Sequence, residues 1–277
     1  ICLYDIDGAR LQESYMMLDN INRNCNKGRA SLKTYLGVEN RKEALRGADF
    51  VVNAIQVGGY EPSTVIDFEI PKKYGLRQTI ADTLGIGGIM RTLRTIPVLE
   101  DFAREMEEVC PNAWFLNYTN PMAMLTGYML RYTGVKTVGL CHSVQVCSEH
   151  LLESLDMKEF LEGRRELIAG INHMAWLLEI RDKNGNDLYP EIRRRALQKN
   201  DTEQHNDMGY YCTESSEHNA EYNPFFIKSK YPELIDRYQI PLDEYPRRCI
   251  HQIEDWNKRR DELVHNTALT HERSREY

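Results

Sequence analysis

Residues 48–57 read Ala48-Asp49-Phe50-Val51-Val52-Asn53-Ala54-Ile55-Gln56-Val57, an apolar, β-branched run that stops at Gly58-Gly59. Such a run without polar alternation reads as a strand buried on both faces, as in parallel sheets. The pattern continues toward the C-terminus. Ala113–Tyr118 and Val135–Leu140 are further apolar runs, while Thr92–Val109 and Pro121–Tyr132 carry helical periodicity. Toward the N-terminus, Ile1–Tyr4 is a short apolar run. It is followed by a helix-like stretch from Gly8 to Asn24, with Leu11, Tyr15, Leu18 and Ile21 on one face. Leu32–Leu36 reads as a strand, Arg41–Leu45 as a helical turn, and Val65–Tyr74 as a helix inside the Gly-rich, polar stretch 58–91. Strands alternating with helices specify an α/β fold built on a Rossmann-like, doubly wound parallel sheet.

After about residue 145 the pattern changes. Leu167–Asn172 and Met174–Arg181 alternate apolar and polar, Asn184-Gly185-Asn186 supplies a turn, and the chain from Tyr189 onward is helical, charged and aromatic. A second, α+β lobe is expected there. Residue 1 is Ile and the chain opens inside a strand-like run, while the final HERSREY reads as an amphipathic helix cut short. The expectation is therefore a fragment lacking its first strand and C-terminal part. It divides into a Rossmann-like domain over 1–145, without its first βα unit, and a C-terminally incomplete catalytic and substrate lobe over 146–277.

Bulk properties exclude several classes. The net charge of −7 argues against a nucleic-acid binder, because the basic clusters Arg193-Arg194-Arg195 and Lys258-Arg259-Arg260 lie in acid-flanked helical stretches. No apolar run approaches the ~18 residues of a membrane span, and residues 1–7 turn acidic before any secretory signal could form. The seven cysteines are odd in number and contain no C-x-x-C, so reduced thiols in the cytoplasm are expected.

Candidate cofactor residues follow from the fold class. A carboxylate at the end of the second strand of a doubly wound sheet bonds the ribose hydroxyls of NAD, and Asp5 and Asp7 occupy that position. A helix N-cap is the other reading of the same residues. The Gly-rich phosphate turn would lie just upstream. Asn53 to Gly59 ends the next strand, where ribose and nicotinamide would pass; Gly58 permits close backbone approach, or merely a tight turn. Asn117-Tyr-Thr-Asn120-Pro121 follows another strand. Its amides can serve sugar hydroxyls or nicotinamide, or simply start a helix.

Two further positions carry chemistry. Cys141, in Gly139-Leu-Cys141-His142-Ser143, sits where a strand meets a helix N-terminus, which favours thiolate. His173, in Gly170-Ile-Asn172-His173-Met174, ends another apolar segment. Thiolate and imidazole suit a borderline divalent metal, although sequence spacing alone does not pair these two residues.

The ordered strings IQVGGYEPSTV, IADTLGIGGIMRTLRTIP, NYTNPMAM, GLCHSVQ, GINHMAW and TESSEHNAEYNPFF resemble glycoside hydrolase family 4, in its melibiase-type α-galactosidase branch, from Ile1 to at least Arg248. That family is an NAD-dependent exception to two-carboxylate glycoside hydrolysis. The resemblance implies a glycosidase hydrolysing α-galactosides by C3 oxidation, C2 deprotonation and elimination, with no net oxidation, using NAD and Mn2+ or another divalent cation. It implies Cys141 and His173 as metal ligands. Asn120, and less directly Asn117, would contact substrate. Arg91 would bind sugar or phosphate oxygens, or form a structural ion pair, and Asp82 is a polar candidate in the same loop. His142 would be the general acid. Asn172 is expected to contact substrate or orient His173. The base would come from Thr213–Tyr222, with His218 and Tyr222 foremost and Glu217 behind. The partners implied are a small α-galactoside or oligosaccharide and further copies of the chain, with neither nucleic acid nor membrane.

Two other readings stand beside this one. A lactate/malate-type dehydrogenase shares the cofactor fold but needs no metal. A non-catalytic sugar- or nucleotide-binding remnant fits a fragment, and the 277 residues alone are expected to be inactive or nearly so.

Overall fold

The computed structural model describes residues 1–81, 85–199, 209–214 and 216–272. Asp82 and the end of the HERSREY stretch lie outside the described residues. The first lobe holds five parallel strands in two ladders. β1 (Cys2–Asp5) pairs with β2 (Lys33–Leu36). β3 (Phe50–Asn53), β4 (Trp114–Asn117) and β5 (Lys136–Gly139) form the second ladder, with β4 central. Helices α1 (Gly8–Asn26), α2 (Arg41–Leu45), α3 (Val65–Lys73), α4 (Gly85–Val109) and α5 (Met122–Tyr132) alternate with these strands.

Strand alternation explains what the lobe buries. Phe115 on β4 points into a core made by Leu99, Phe102 and Met106 of α4 and Leu125 and Met129 of α5. These are apolar side chains at helical spacing facing one side of the sheet. The other face differs from expectation. Phe50 and Val52 on β3 are 66% and 65% exposed, so among the described residues the run that reads as doubly buried is covered on one side only.

α1 also departs from its sequence pattern. Leu18 is exposed, while Asn20 and Asn22 are buried. Asn22 compensates its burial by accepting from the Ala30 N–H and donating to the Ala30 carbonyl.

The second lobe is built on an antiparallel sheet of β6 (Arg165–Ile171), β7 (Met174–Arg181) and β8 (Tyr211–Cys212). α6 (Ser143–Ser154) follows a strand of the first lobe, yet Leu151 and Leu152 pack with Leu177, Ile180 and Ile192 in the second core. Ile192 belongs to α7 (Tyr189–Gln198). The residues between β5 and α6 therefore lie where the lobes meet.

Helices α8 (Ser216–Tyr222), α9 (Glu233–Arg237) and α10 (Glu244–His265) complete the described chain. A carboxylate of α8 clasps the first lobe. Glu221 Oε1 accepts from the backbone N–H groups of Thr79, Ile80 and Ala81 at 2.5, 3.0 and 3.1 Å. Successive amides converging on one anion form a strong electrostatic clasp. Thr79 Oγ1 donates to the Glu217 carbonyl, and the Asp243 and Tyr245 N–H groups donate to the carbonyls of Gln78 and Thr79. Segment 78–81 is thus held by both α8 and the start of α10. No helix among the described residues is long and apolar enough to cross a membrane.

Candidate active site

β6 and β7 are joined by only two residues, Asn172 and His173. Gly170 makes this tight hairpin possible. It pairs with Ala175 at φ 147°, and a Cβ there would lie 2.4 Å from Ala175 Cα. His173 takes φ 60°, an uncommon state for a side chain of this size that costs about 1–3 kcal/mol. The hairpin thereby turns a buried imidazole, 5% exposed, toward the first lobe.

There it meets Cys141, two residues beyond β5. Cys141 Sγ and His173 Nε2 are 3.2 Å apart. The resemblance named both residues; the structure brings them together from opposite lobes. With metal–sulfur and metal–nitrogen bonds of ~2.3 and ~2.1 Å, this separation corresponds to one cation bonded to both at roughly a right angle. Asn172 Oδ1 beside them is a buried acceptor with no hydrogen-bond partner among the described residues. The donor chemistry and the spare acceptor fit a divalent cation.

His173 has a second set of neighbours. The His218 ring stands edge-on to it at 4.1 Å between centroids, and the Tyr222 ring lies at 6.4 Å. Burial pushes the His218 pKa down to about 3, and His173 adds to that, so His218 is a neutral imidazole at physiological pH. That state suits a ligand or base better than an acid. His218 Nδ1 is 3.8 Å from Glu214 Oε2, which makes a polar contact rather than an ion pair while His218 is neutral. Ser143 Oγ donates to Glu214 Oε2 at 2.8 Å. His173, Glu214 and His218 present donor atoms all within 4.8 Å of one another. Glu214 was missed from sequence. Its Glu-x-x-x-His spacing to His218 was the available signal.

The other expected residues divide sharply. His142 is exposed at the start of α6, its ring 6.1 Å from that of Tyr118. Asn120 accepts from the Met122 N–H at 3.3 Å, as at an Asn-Pro helix start, and remains partly open. Asn53 and Asn117 bond each other across the ends of β3 and β4. Both are buried, and Asn53 Nδ2 donates to Asn117 Oδ1 and Thr119 Oγ1 at 2.9 and 3.0 Å. Asn117 Nδ2 donates to Thr126 Oγ1 and the Thr119 carbonyl. They stitch the strand ends together, with both Nδ2 groups committed within this network.

Asp7 is likewise a helix cap, Oδ1 accepting from the Ala9 and Arg10 N–H groups. Asp5 binds the Arg10 guanidinium at 2.6 and 2.9 Å and accepts from the Asp7 N–H. Burial raises its pKa, but these hydrogen bonds outweigh that and hold the carboxyl below its ordinary value. Gly58, at φ 85°, serves a tight turn, since a Cβ would collide with Ser63 Oγ. Arg91 is buried without an ion pair among the described residues. Its Nη1 donates to Tyr245 Oη at 3.1 Å, and its guanidinium lies 5.5 Å from that ring's centroid.

Comparison with known proteins follows the two lobes. Residues 1–157 match the family 4 glycosyl hydrolase model, and residues 168–277 match the family 4 glycosyl hydrolase C-terminal domain. An alpha-galactosidase of Bacillus subtilis (strain 168) is 64% identical over 99% of this chain and 64% of its own length. An alpha-galactosidase of Rhizobium meliloti is 38% identical over 72% of this chain and 41% of its own. The chain thus spans less than two thirds of these curated relatives. Among solved structures, a putative glucosidase from Bacillus subtilis aligns over 98% of this chain and 66% of its own, with a TM-score of 0.73 at 24% identity. A Thermotoga maritima 6-phospho-beta glucosidase, solved with manganese, NAD+ and glucose-6-phosphate, aligns over 97% of this chain and 60% of its own, with a TM-score of 0.67 at 19% identity. At those identities the likeness concerns the fold.

Proposed function

Because this chain belongs to family 4 of the glycosyl hydrolases, we propose that the protein hydrolyses α-galactosides with the help of NAD and a divalent cation, Mn2+ foremost. The observation that carries the reading is the 3.2 Å approach of Cys141 Sγ to His173 Nε2 between the two lobes. A plain dehydrogenase of the lactate/malate type has no use for such a pair. Similarity to α-galactosidases supports the sugar, and the NAD+ and manganese of the Thermotoga maritima enzyme support the cofactors.

When bound, NAD supplies a reversible hydride acceptor for sugar C3, and the cation supplies charge that stabilises oxyanions on C2 and C3. Cys141 and His173 would hold the cation. The first-lobe strand ends would hold the nucleotide, with Asp5 at the ribose and the Asn53–Asn117 network fixing the sheet edge beneath it. Asn120 and Asn172 retain acceptor capacity for sugar hydroxyls. Proton removal at C2 falls to the α8 wall, where Tyr222 stands beside His173; a neighbouring cation would lower its phenol pKa. His142, exposed at the start of α6, would protonate the leaving oxygen. Assembly into oligomers and a cytoplasmic location belong to the same reading.

The test is cleavage of p-nitrophenyl α-galactoside, deuterated at C2, by the full-length protein with and without NAD+ and Mn2+. Dependence on both, with C2 deuterium lost to water, is expected. Cleavage indifferent to NAD+ would overturn the mechanism, and accumulation of NADH would point to a dehydrogenase.

A further inference from the structure

Cys141–His173 is only one side of the arrangement around His173. Glu214 closes the other. Its carboxylate is buried, the side chain 2% exposed, and the sheet delivers it: the neighbouring Thr213 N–H donates to the Ala175 carbonyl at 3.0 Å, continuing the β7–β8 pairing beside the hairpin tip. From there Glu214 reaches Ser143, the first residue of α6, two positions beyond Cys141. The contacts run from Cys141 to His173 at 3.2 Å, His173 to His218 at 4.1 Å between rings, His218 to Glu214 at 3.8 Å, and Glu214 to Ser143 at 2.8 Å. They return to the turn that carries Cys141. A ring of five side chains from both lobes is the result.

We infer that the cation site extends beyond the Cys141–His173 pair, with the Glu214 carboxylate as a further protein donor and His218 as its neighbour across His173. The inference rests on the cation reading above and deepens it. Carboxylate and imidazole are both suitable donors for Mn2+ or Zn2+. His173, Glu214 and His218 offer donor atoms within 4.8 Å of one another, and Cys141 Sγ lies 3.2 Å from His173 Nε2, so His173 is the residue common to both groups. Charge also favours the assignment. A divalent cation with one thiolate keeps a net positive charge in a buried place, and one added carboxylate neutralises it. Thr213 Oγ1, next to Glu214, is a second buried polar atom without a partner among the described residues, as Asn172 Oδ1 is next to His173. Such atoms flank both proposed donors.

The test is the affinity of the NAD+-loaded, full-length protein for Mn2+ alone, without sugar, measured from the free-ion paramagnetic resonance signal. Glu214→Gln is expected to raise the Kd about 10–100-fold, and Ser143→Ala to raise it less. In the Co2+ form, the thiolate charge-transfer band should survive Glu214→Gln and disappear in Cys141→Ser. An unchanged Kd in Glu214→Gln, with binding lost in Cys141→Ser, would overturn the inference and leave the pair intact. Unchanged binding in Cys141→Ser would instead overturn the pair. If Glu214→Gln does not fold, Ser143→Ala decides by the same measurement, and an unchanged Kd there would count against the inference.

Discussion

The ends of β3 and β4 and the tip of the β6–β7 hairpin are both crowded with polar side chains, but they dispose of them differently. At the first, Asn53, Asn117, Thr119 and Thr126 bond one another and the backbone. At the second, sulfur, imidazoles and a carboxylate converge from separate elements, and among the described residues Asn172 Oδ1 and Thr213 Oγ1 stay without partners. Buried polar groups are normally satisfied, so the first cluster behaves as scaffold and the second as a place prepared for something else. The two kinds of polar cluster look alike in a string of letters. They differ in whether their hydrogen bonds close on themselves.

The largest effect that would sharpen this contrast is loss of the pair. Cys141→Ser or His173→Asn should lower α-galactoside hydrolysis by about 10²–10³-fold or more, with little change in Tm. A variant that kept its activity would break the comparison at its centre. Asn117→Ala should do the reverse. It strands Asn53 and Thr126 partners, costing about 2–4 kcal/mol, and Tm should fall by roughly 5–10 °C while Mn2+ affinity holds. Smaller again is the distinction between two neighbouring carboxylates. Asp7→Ala removes a helix cap worth about 1 kcal/mol and should spare NAD+ affinity, whereas Asp5→Asn should weaken it, both read by calorimetric titration.

The smallest effect concerns two thiols six positions apart. Burial foremost, with Glu166 nearby, pushes the Cys147 pKa from 9.0 to about 11. Its folded form therefore keeps a proton that the unfolded chain has already lost. Stability from this group is complete below about pH 9 and declines as pH rises toward 11. Iodoacetamide at pH 8 should accordingly modify partly exposed Cys141 and leave buried Cys147 unlabelled, as read by peptide mass. Equal labelling of both would mean that the α6 core is looser than its packing shows.

Much of the fold was legible because apolar runs and helical periodicity are local. The strands ending at Asn117 and Gly139 and the hairpin strands around His173 stand within a residue or two of their sequence reading, whereas the run read over 48–57 forms a strand only over Phe50–Asn53. α4 was read to start at Thr92, but it begins at Gly85. Gly85, Gly87 and Gly88 have low helix propensity, and tertiary packing overrides it there. In the site, motif resemblance brought out Cys141 and His173. Asn53, Asn117 and Asp7 bond neighbours in the structure, and a polar residue at a strand end looks the same in sequence whether it serves a ligand or a neighbour. Glu214 escaped notice because its partners, Ser143 and His173, lie 71 and 41 positions upstream.

The clasp of Glu221 on Thr79, Ile80 and Ala81 also ties two timescales together. A seven-residue helix such as α8 has no stability of its own and persists only while docked. The amides it shelters lie 140 to 142 positions earlier in the chain. Their protection from exchange with solvent deuterium is therefore borrowed from α8, and the two segments open as one cooperative unit. Any ligand that grips His218 or Tyr222 will slow isotope uptake at Thr79–Ala81, so these three backbone protons act as a remote gauge of occupancy on the far wall.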